Sequence, residues 1–201
     1  MPLEIKAERI LVVEGKDDER WFEAFLKHLR LNGVQILTME GKNNLRAFLK
    51  GLVKARGFSR VTSLGVVRDA DRDRQSAFQS VRDALVAADL PAPDAEGARA
   101  PGPPGITVKI LPAGQSGKLE DLCLESVAND PAMQCIEAYF ACLKDRGFRP
   151  RDLAKAQVQA FLASRAEPGK RLGEAAAAGY WPWESPRFED LRRFLAEFAG
   201  G

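Results

Sequence analysis

Residues 10–19 read ILVVEGKDDE, an apolar run that ends abruptly in a carboxylate, a glycine and a burst of charge. Ile10, Leu11, Val12 and Val13 form the short, largely β-branched stretch expected of a parallel strand buried on both faces. The change of composition after Val13 marks strand, turn and helix start. Glu14 then stands at the carboxyl tip of a strand, which is where open α/β sheets bind their ligands.

The arrangement recurs further on. Leu64, Gly65, Val66 and Val67 read as a second buried strand, followed by Arg68-Asp69-Ala70-Asp71-Arg72-Asp73. A period of two puts Asp69 and Asp71 on the same side of this extended segment. Two adjacent strand tips then bring three carboxylates together. Such a group repels itself and is relieved by proton uptake or by a bound cation. Oxygen ligands without histidine or thiolate favour Mg²⁺ or Mn²⁺ over zinc. Acids also complement helix N-termini and cap helices. That plainer reading is preferred for Asp17, Glu19 and Asp73, and is weaker for Glu14, Asp69 and Asp71, which follow strands and precede helices.

With 201 residues and 45% hydrophobic content, the chain is long enough to bury a core as one domain or as a domain with a helical extension. A formal charge of +2 neither demands nor excludes a nucleic-acid partner, so any basic surface must be local. Cys123, Cys135 and Cys142 lack metal-ligand spacing and read as reduced core residues. No stretch is apolar enough to span a membrane and the N-terminal residues lack a signal-peptide core, so a cytoplasmic location is expected.

In chain order, Phe22, Phe25, Leu26 and Leu29 predict an amphipathic helix over residues 17–30. The single histidine, His28, falls off that stripe and is given no catalytic role. Residues 34–39 (VQILTM) are the second strand. Gly41 and Lys42 follow it, at a turn whose free amides suit a phosphate. Residues 62–67 are the third strand, and residues 74–88 the next helix. Residues 91–105, PAPDAEGARAPGPPG, should be a mobile loop before a last strand at residues 106–111.

Gly117-Lys118 tempts a P-loop reading, but the glycine spacing is wrong and Leu119 follows the lysine. Gly15-Lys16 fails likewise. Glu120 reads as a first-turn helix acid or as a fourth strand-tip carboxylate. Beyond Leu119 the pattern is helical throughout. Trp181 and Trp183, near Lys170 and Arg171, suit either base stacking or the pinning of a terminal helix, and the second is preferred.

Glu14-Gly15 and Asp69-Ala70-Asp71, in this strand and helix order, resemble the Toprim (topoisomerase/primase) family. The resemblance is closest to Toprim nucleases of the overcoming-lysogenization-defect type and to small stand-alone Toprim-like bacterial proteins. It covers roughly residues 8–127. It implies a Rossmann-type, mostly parallel sheet of about four strands flanked by helices in residues 1–128, with an α-helical extension over 129–201.

It also implies Asp18, four residues after Glu14, as a further metal-binding acid, and it matches Gly117-Lys118-Leu119-Glu120 to the motif after the last strand. Lys170 is the candidate for a downstream family lysine. The nucleases of that family carry an ATPase domain, for which this chain has neither the length nor the motif, so a separate ATPase is a possible partner.

The function implied is a Mg²⁺- or Mn²⁺-dependent phosphodiesterase acting on nucleic acid. Glu14, Asp18, Asp69, Asp71 and Glu120 would be the metal-site acids, and Lys118 and Lys170 would assist catalysis. Gly15, Lys42, Arg68 and Arg72 would lie against phosphates. The alternative is a metal- or nucleotide-binding regulatory module without turnover, since fold alone does not separate the two.

Overall fold

The computed structural model describes residues 3–200. Strand β1 (Arg9–Val13) alternates as its sequence requires. Ile10 and Val12 enter one core and Leu11 and Val13 the other, all four fully shielded from water. It therefore sits inside the sheet, paired in parallel with β2 (Val34–Thr38) on one side and β3 (Ser63–Asp69) on the other. Strand β5 (Gly105–Leu111) pairs in parallel with β3, with Asp69 opposite Leu111, and closes the parallel set. A two-residue strand, β4 (Arg99–Ala100), adds antiparallel to β5. The order is β2-β1-β3-β5-β4.

The fifth strand comes from residues 91–105, where a loop was expected. Composition hid it, because proline and glycine dominate the segment while two residues suffice to pair with Ile106 and Thr107. Glu96 anchors the same segment, accepting from the Ile110 amide (3.1 Å) and pairing with Arg74 (2.5 Å) and Lys109 (3.4 Å).

Two helices cover one face: α2 (Leu45–Leu52), and α3 (Arg74–Val86), whose N-terminus Asp73 caps by accepting from the Ser76 amide (2.6 Å). The other face carries α1 (Lys16–His28), α4 (Leu119–Ser126), α5 (Pro131–Asp145), α6 (Leu153–Ala163), α7 (Leu172–Ala177) and α8 (Glu189–Gly200). Their apolar residues form a single core with Leu11, Val13, Val67 and Leu111. Helix α8 lies directly on the sheet: a Cβ at Gly65 would stand 2.9 Å from Leu11 and 3.2 Å from the Phe198 ring. Lys109 is buried beneath it and pairs with Asp190 of α8.

The tryptophans pack. Trp181 is buried with its Nε1 donating to the Leu172 carbonyl (3.2 Å), and Trp183 stacks on Phe25 at 5.0 Å. Cys123 is a core residue as expected, whereas Cys135 and Cys142 are exposed. Helix α5 buries only Met133 and Ile136, so its remaining face, cysteines included, meets solvent. Among the described residues no helix is long and apolar enough to cross a membrane.

Candidate functional site

The parallel register places the carboxyl ends of β1, β3 and β5 along one edge. Glu14, immediately after β1, reaches the tip of β3, where its Oε1 accepts from the Asp69 amide at 3.3 Å. Asp69, the last residue of β3, turns its Oδ1 to the Leu119 amide at the start of α4 (3.0 Å). Asp18 turns back within the first turn of α1, with Oδ2 accepting from the Gly15 amide at 2.7 Å. Each of these carboxylates thus has one oxygen fixed by a backbone N–H, while its second oxygen has no protein hydrogen bond among the described residues.

These groups feel one another as charges. Burial, followed by the facing charges of Glu14, Asp18 and Glu120, holds Asp69 protonated well above the usual aspartate range. Asp18 is pushed up to about 7, again mainly by burial, with Glu14, Glu120 and Asp17 adding to it. Glu14 and Glu120 are raised by burial too, and there Arg68 and Lys118 respectively oppose the rise. Asp18, Asp69 and Glu120 make no ion pair among the described residues. Four acids from the segments at the ends of β1, β3 and β5 therefore bear on one another. Arg68 beside Glu14 and Lys118 acting on Glu120 give partial counter-charge, with no ion pair to Asp18 or Asp69 among the described residues.

Asp71 also bears on Glu14 as a charge, but it is held differently. The extended segment stops at Asp69, and Asp71 takes a left-handed conformation with φ +54°. Its backbone exchanges two hydrogen bonds with Gly117 (2.8 and 2.9 Å), tying the turns after β3 and β5 together. Its Oδ2 pairs with Lys42 at 2.6 Å. Regular strand geometry therefore ends before Asp71, which takes a conformation Asp tolerates better than most side chains.

Beside the acids lies an open cleft of about 990 Å³, lined by Lys42, Arg68, Arg72, Lys118 and Arg151 among others. Lys118 pairs with Asp152 at 2.5 Å. Arg68 is nearly buried, with Nε 3.9 Å from Glu14, and its Nε and Nη1 lack any hydrogen-bond partner. Gly15 is the N-cap of α1, where its amide positions Asp18. Lys170 lies just ahead of α7 and pairs with Glu167 at 3.0 Å. None of the strand-tip acids is among its partners. Arg151 and Asp152 were not singled out from the sequence. The signal there is an Arg-Pro-Arg-Asp run at residues 149–152, whose aspartate caps α6 by accepting from the Lys155 amide (3.1 Å).

The donor set suits a hard divalent cation in kind: it is all carboxylate oxygen and partly buried, and Asp18 and Asp69 make no ion pair among the described residues. The acids do not form a finished coordination shell. Among the described residues, no three His, Cys, Asp or Glu side chains stand grouped as ligands. The amide-free oxygens of Glu14, Asp18 and Asp69 are those available to an ion.

A family model described as a protein of unknown function (DUF3226) matches residues 8–200. The chain belongs to that family. No curated protein matches this DUF3226 member. Among solved structures it is similar to a hypothetical protein, PH0156, from Pyrococcus horikoshii OT3, with a TM-score of 0.62 and 17% identity, covering 96% of this chain and 95% of that one. It is also similar to the C-terminal region of the OLD protein of Burkholderia pseudomallei, with a TM-score of 0.50 and 14% identity, covering 97% and 100% of the two chains. At these identities the likeness is one of fold.

Proposed function

We propose that this DUF3226 chain is a Toprim-type, divalent-metal-dependent phosphodiesterase that acts on nucleic acid. The observation that carries the reading is the convergence of Glu14, Asp18, Asp69 and Glu120 at one sheet edge, where only Glu14 has an ion-pair partner among the described residues. The strand-tip motifs that resemble Toprim nucleases, and a fold like the C-terminal region of an OLD protein, agree with it.

Asp69, with Glu14 or Asp18, would hold Mg²⁺ or Mn²⁺, and Glu120 would complete a second site. Such an ion supplies polarisation of a phosphate oxygen and a lowered pKa for an attacking water. Glu14 handles the proton: Oε1 is occupied by the Asp69 amide, so Oε2 is free to accept or return one, and the raised pKa brings it closer to neutrality. Lys118, Arg72 and Arg68, which line the cleft, would hold phosphates flanking the scissile one. Asp71 orients Lys42 toward the same cleft. Lys170, engaged with Glu167, has no part in this arrangement.

The test is incubation with supercoiled plasmid, single-stranded DNA and RNA in Mg²⁺ or Mn²⁺, beside Asp69→Asn and Glu14→Gln. Metal-dependent cleavage that falls about a hundredfold or more in both folded variants is expected. Wild type and variants equally inert, or equally active, would sink the nuclease reading and leave a regulatory module that works through a partner.

A further inference from the structure

The cleft beside the acids does not end at Arg68. A second cleft, of about 830 Å³, runs between α2 and α3 and shares Lys42, Arg68 and Ser76 with the first. The two are therefore one continuous groove that leaves the carboxylates, passes the N-terminus of α3 and continues past Arg46.

Its charges are unevenly satisfied. Two of its acids are ion-paired, Asp71 with Lys42 and Asp152 with Lys118. Asp73 and Asp83 accept only from neutral donors, the Ser76 amide and Gln79, and keep their charge. The cations Lys42, Arg46, Arg68, Arg72, Lys118 and Arg151 still outnumber these acids. Arg46, Arg72 and Arg151 make no ion pair among the described residues. At the junction of the two halves, Arg68 carries buried N–H groups without acceptors. A groove with spare cations and orphaned donors fits a string of anions.

No aromatic side chain lines either half. Proteins that grip single strands through their bases do so by stacking them on aromatic rings, and this groove has none to offer. What it offers is charge and hydroxyl groups, which address phosphate and sugar and carry no sequence information.

We infer that the α2–α3 groove is a second binding track, which holds the sugar-phosphate backbone of a nucleic-acid strand on one side of the carboxylate site, with Arg46 and Arg68 on phosphates beyond the one hydrolysed. The inference rests on the proposed phosphodiesterase reading for its orientation. Binding through the groove needs neither the metal nor turnover.

The experiment measures fluorescence anisotropy of labelled dT and dA oligonucleotides in EDTA over a series of salt concentrations. It compares wild type with Arg46→Glu and with Arg193→Glu, an exposed position on α8 across the sheet that undergoes the same charge reversal. Wild type is expected to bind both oligonucleotides about equally. Arg46→Glu should weaken binding about tenfold and lower the salt slope by about 1, while Arg193→Glu follows wild type. Equal losses in both variants, no loss in either, or no wild-type binding would overturn the track. So would a strong preference for one base. The two readings fail separately. Groove-dependent binding without cleavage leaves the track and removes the nuclease, and cleavage with Arg46→Glu binding normally does the reverse.

Discussion

Burial, with the charges of Glu14, Glu120 and Asp17 added, outweighs the Gly15 amide that favours the carboxylate, so the proton of Asp18 leaves only near pH 7 instead of 3.8. Below pH 3.8 the group is neutral in both folded and unfolded chains, and the stability linked to its raised pKa is fully present. Between 3.8 and 7 the folded protein keeps a proton that the unfolded chain has lost. Above 7 both are charged, and the native state bears a partly buried carboxylate among other carboxylates. The stability difference is at most about 4 kcal/mol and disappears as pH rises through that window. In EDTA, Asp18→Asn should therefore melt above wild type at pH 8 and level with it at pH 4. The asparagine can still accept from Gly15, so an equal gain at both pH values would show that charge is not the cause. Adding Mg²⁺ at pH 8 should raise the wild-type melting temperature more than that of the variant, because a ligand bound only by the native state stabilises it.

Helices α1 and α7 meet at Gly173, where an added Cβ would stand 2.5 Å from the Asp17 carbonyl and 2.6 Å from the Arg20 Cβ. The Gly173 amide also donates to Asp17 Oδ1 at 3.0 Å. Gly173→Val must push α7 off the turn of α1 that holds Asp18, at a cost of about 1–3 kcal/mol. Gly51, within α2, has nothing within 4 Å of its Cβ position and a helical backbone, so Gly51→Ala should instead stabilise by about 0.5–1 kcal/mol. Thermal unfolding of the two variants decides, and similar shifts would mean that the α1–α7 approach is not tight. Elements with a strong local signal were legible in the sequence: the unbroken apolar run of β1 and the Phe22, Phe25, Leu26 stripe of α1 need no partner to declare themselves. Strand β4 was not, since Arg99 and Ala100 become a strand only because Ile106 and Thr107 lie alongside. The positions of Glu14 and Asp69 at strand tips were readable for the same reason as their strands, whereas Glu120, left open between a strand tip and a first helical turn, lies in the first turn of α4. The left-handed turn at Asp71 depends on its exchange of hydrogen bonds with Gly117, and Arg151 reaches the cleft only because α6 docks beside α4. Those are tertiary facts, which local pattern does not carry.

Across the whole molecule, the sheet is buried on both faces by helices from different parts of the sequence. Helices α2 and α3, both before residue 90, cover one face. The other depends on α1 and on everything after β5, with Leu11, Val13, Val67 and Leu111 sharing a core with Phe188, Leu195 and Phe198. Burying each such side chain contributes about 1.5–3 kcal/mol, and a domain's net stability is only about 5–15 kcal/mol. The residues after 128 supply Phe188, Leu195 and Phe198 to that core, and with only α1 and α4 left on the face a loss comparable with that margin is expected. Lys109 would lose its partner Asp190, and Lys118 its partner Asp152, so the site would be disturbed with the core. Residues 1–128 expressed alone should then bind a hydrophobic dye and melt without a cooperative transition, while the full chain unfolds in one step. Calorimetry on both chains is the check. A fragment that melts cooperatively and retains metal-dependent stabilisation would mean that the α/β part folds and builds its site alone, with the helical region after residue 128 a separable addition.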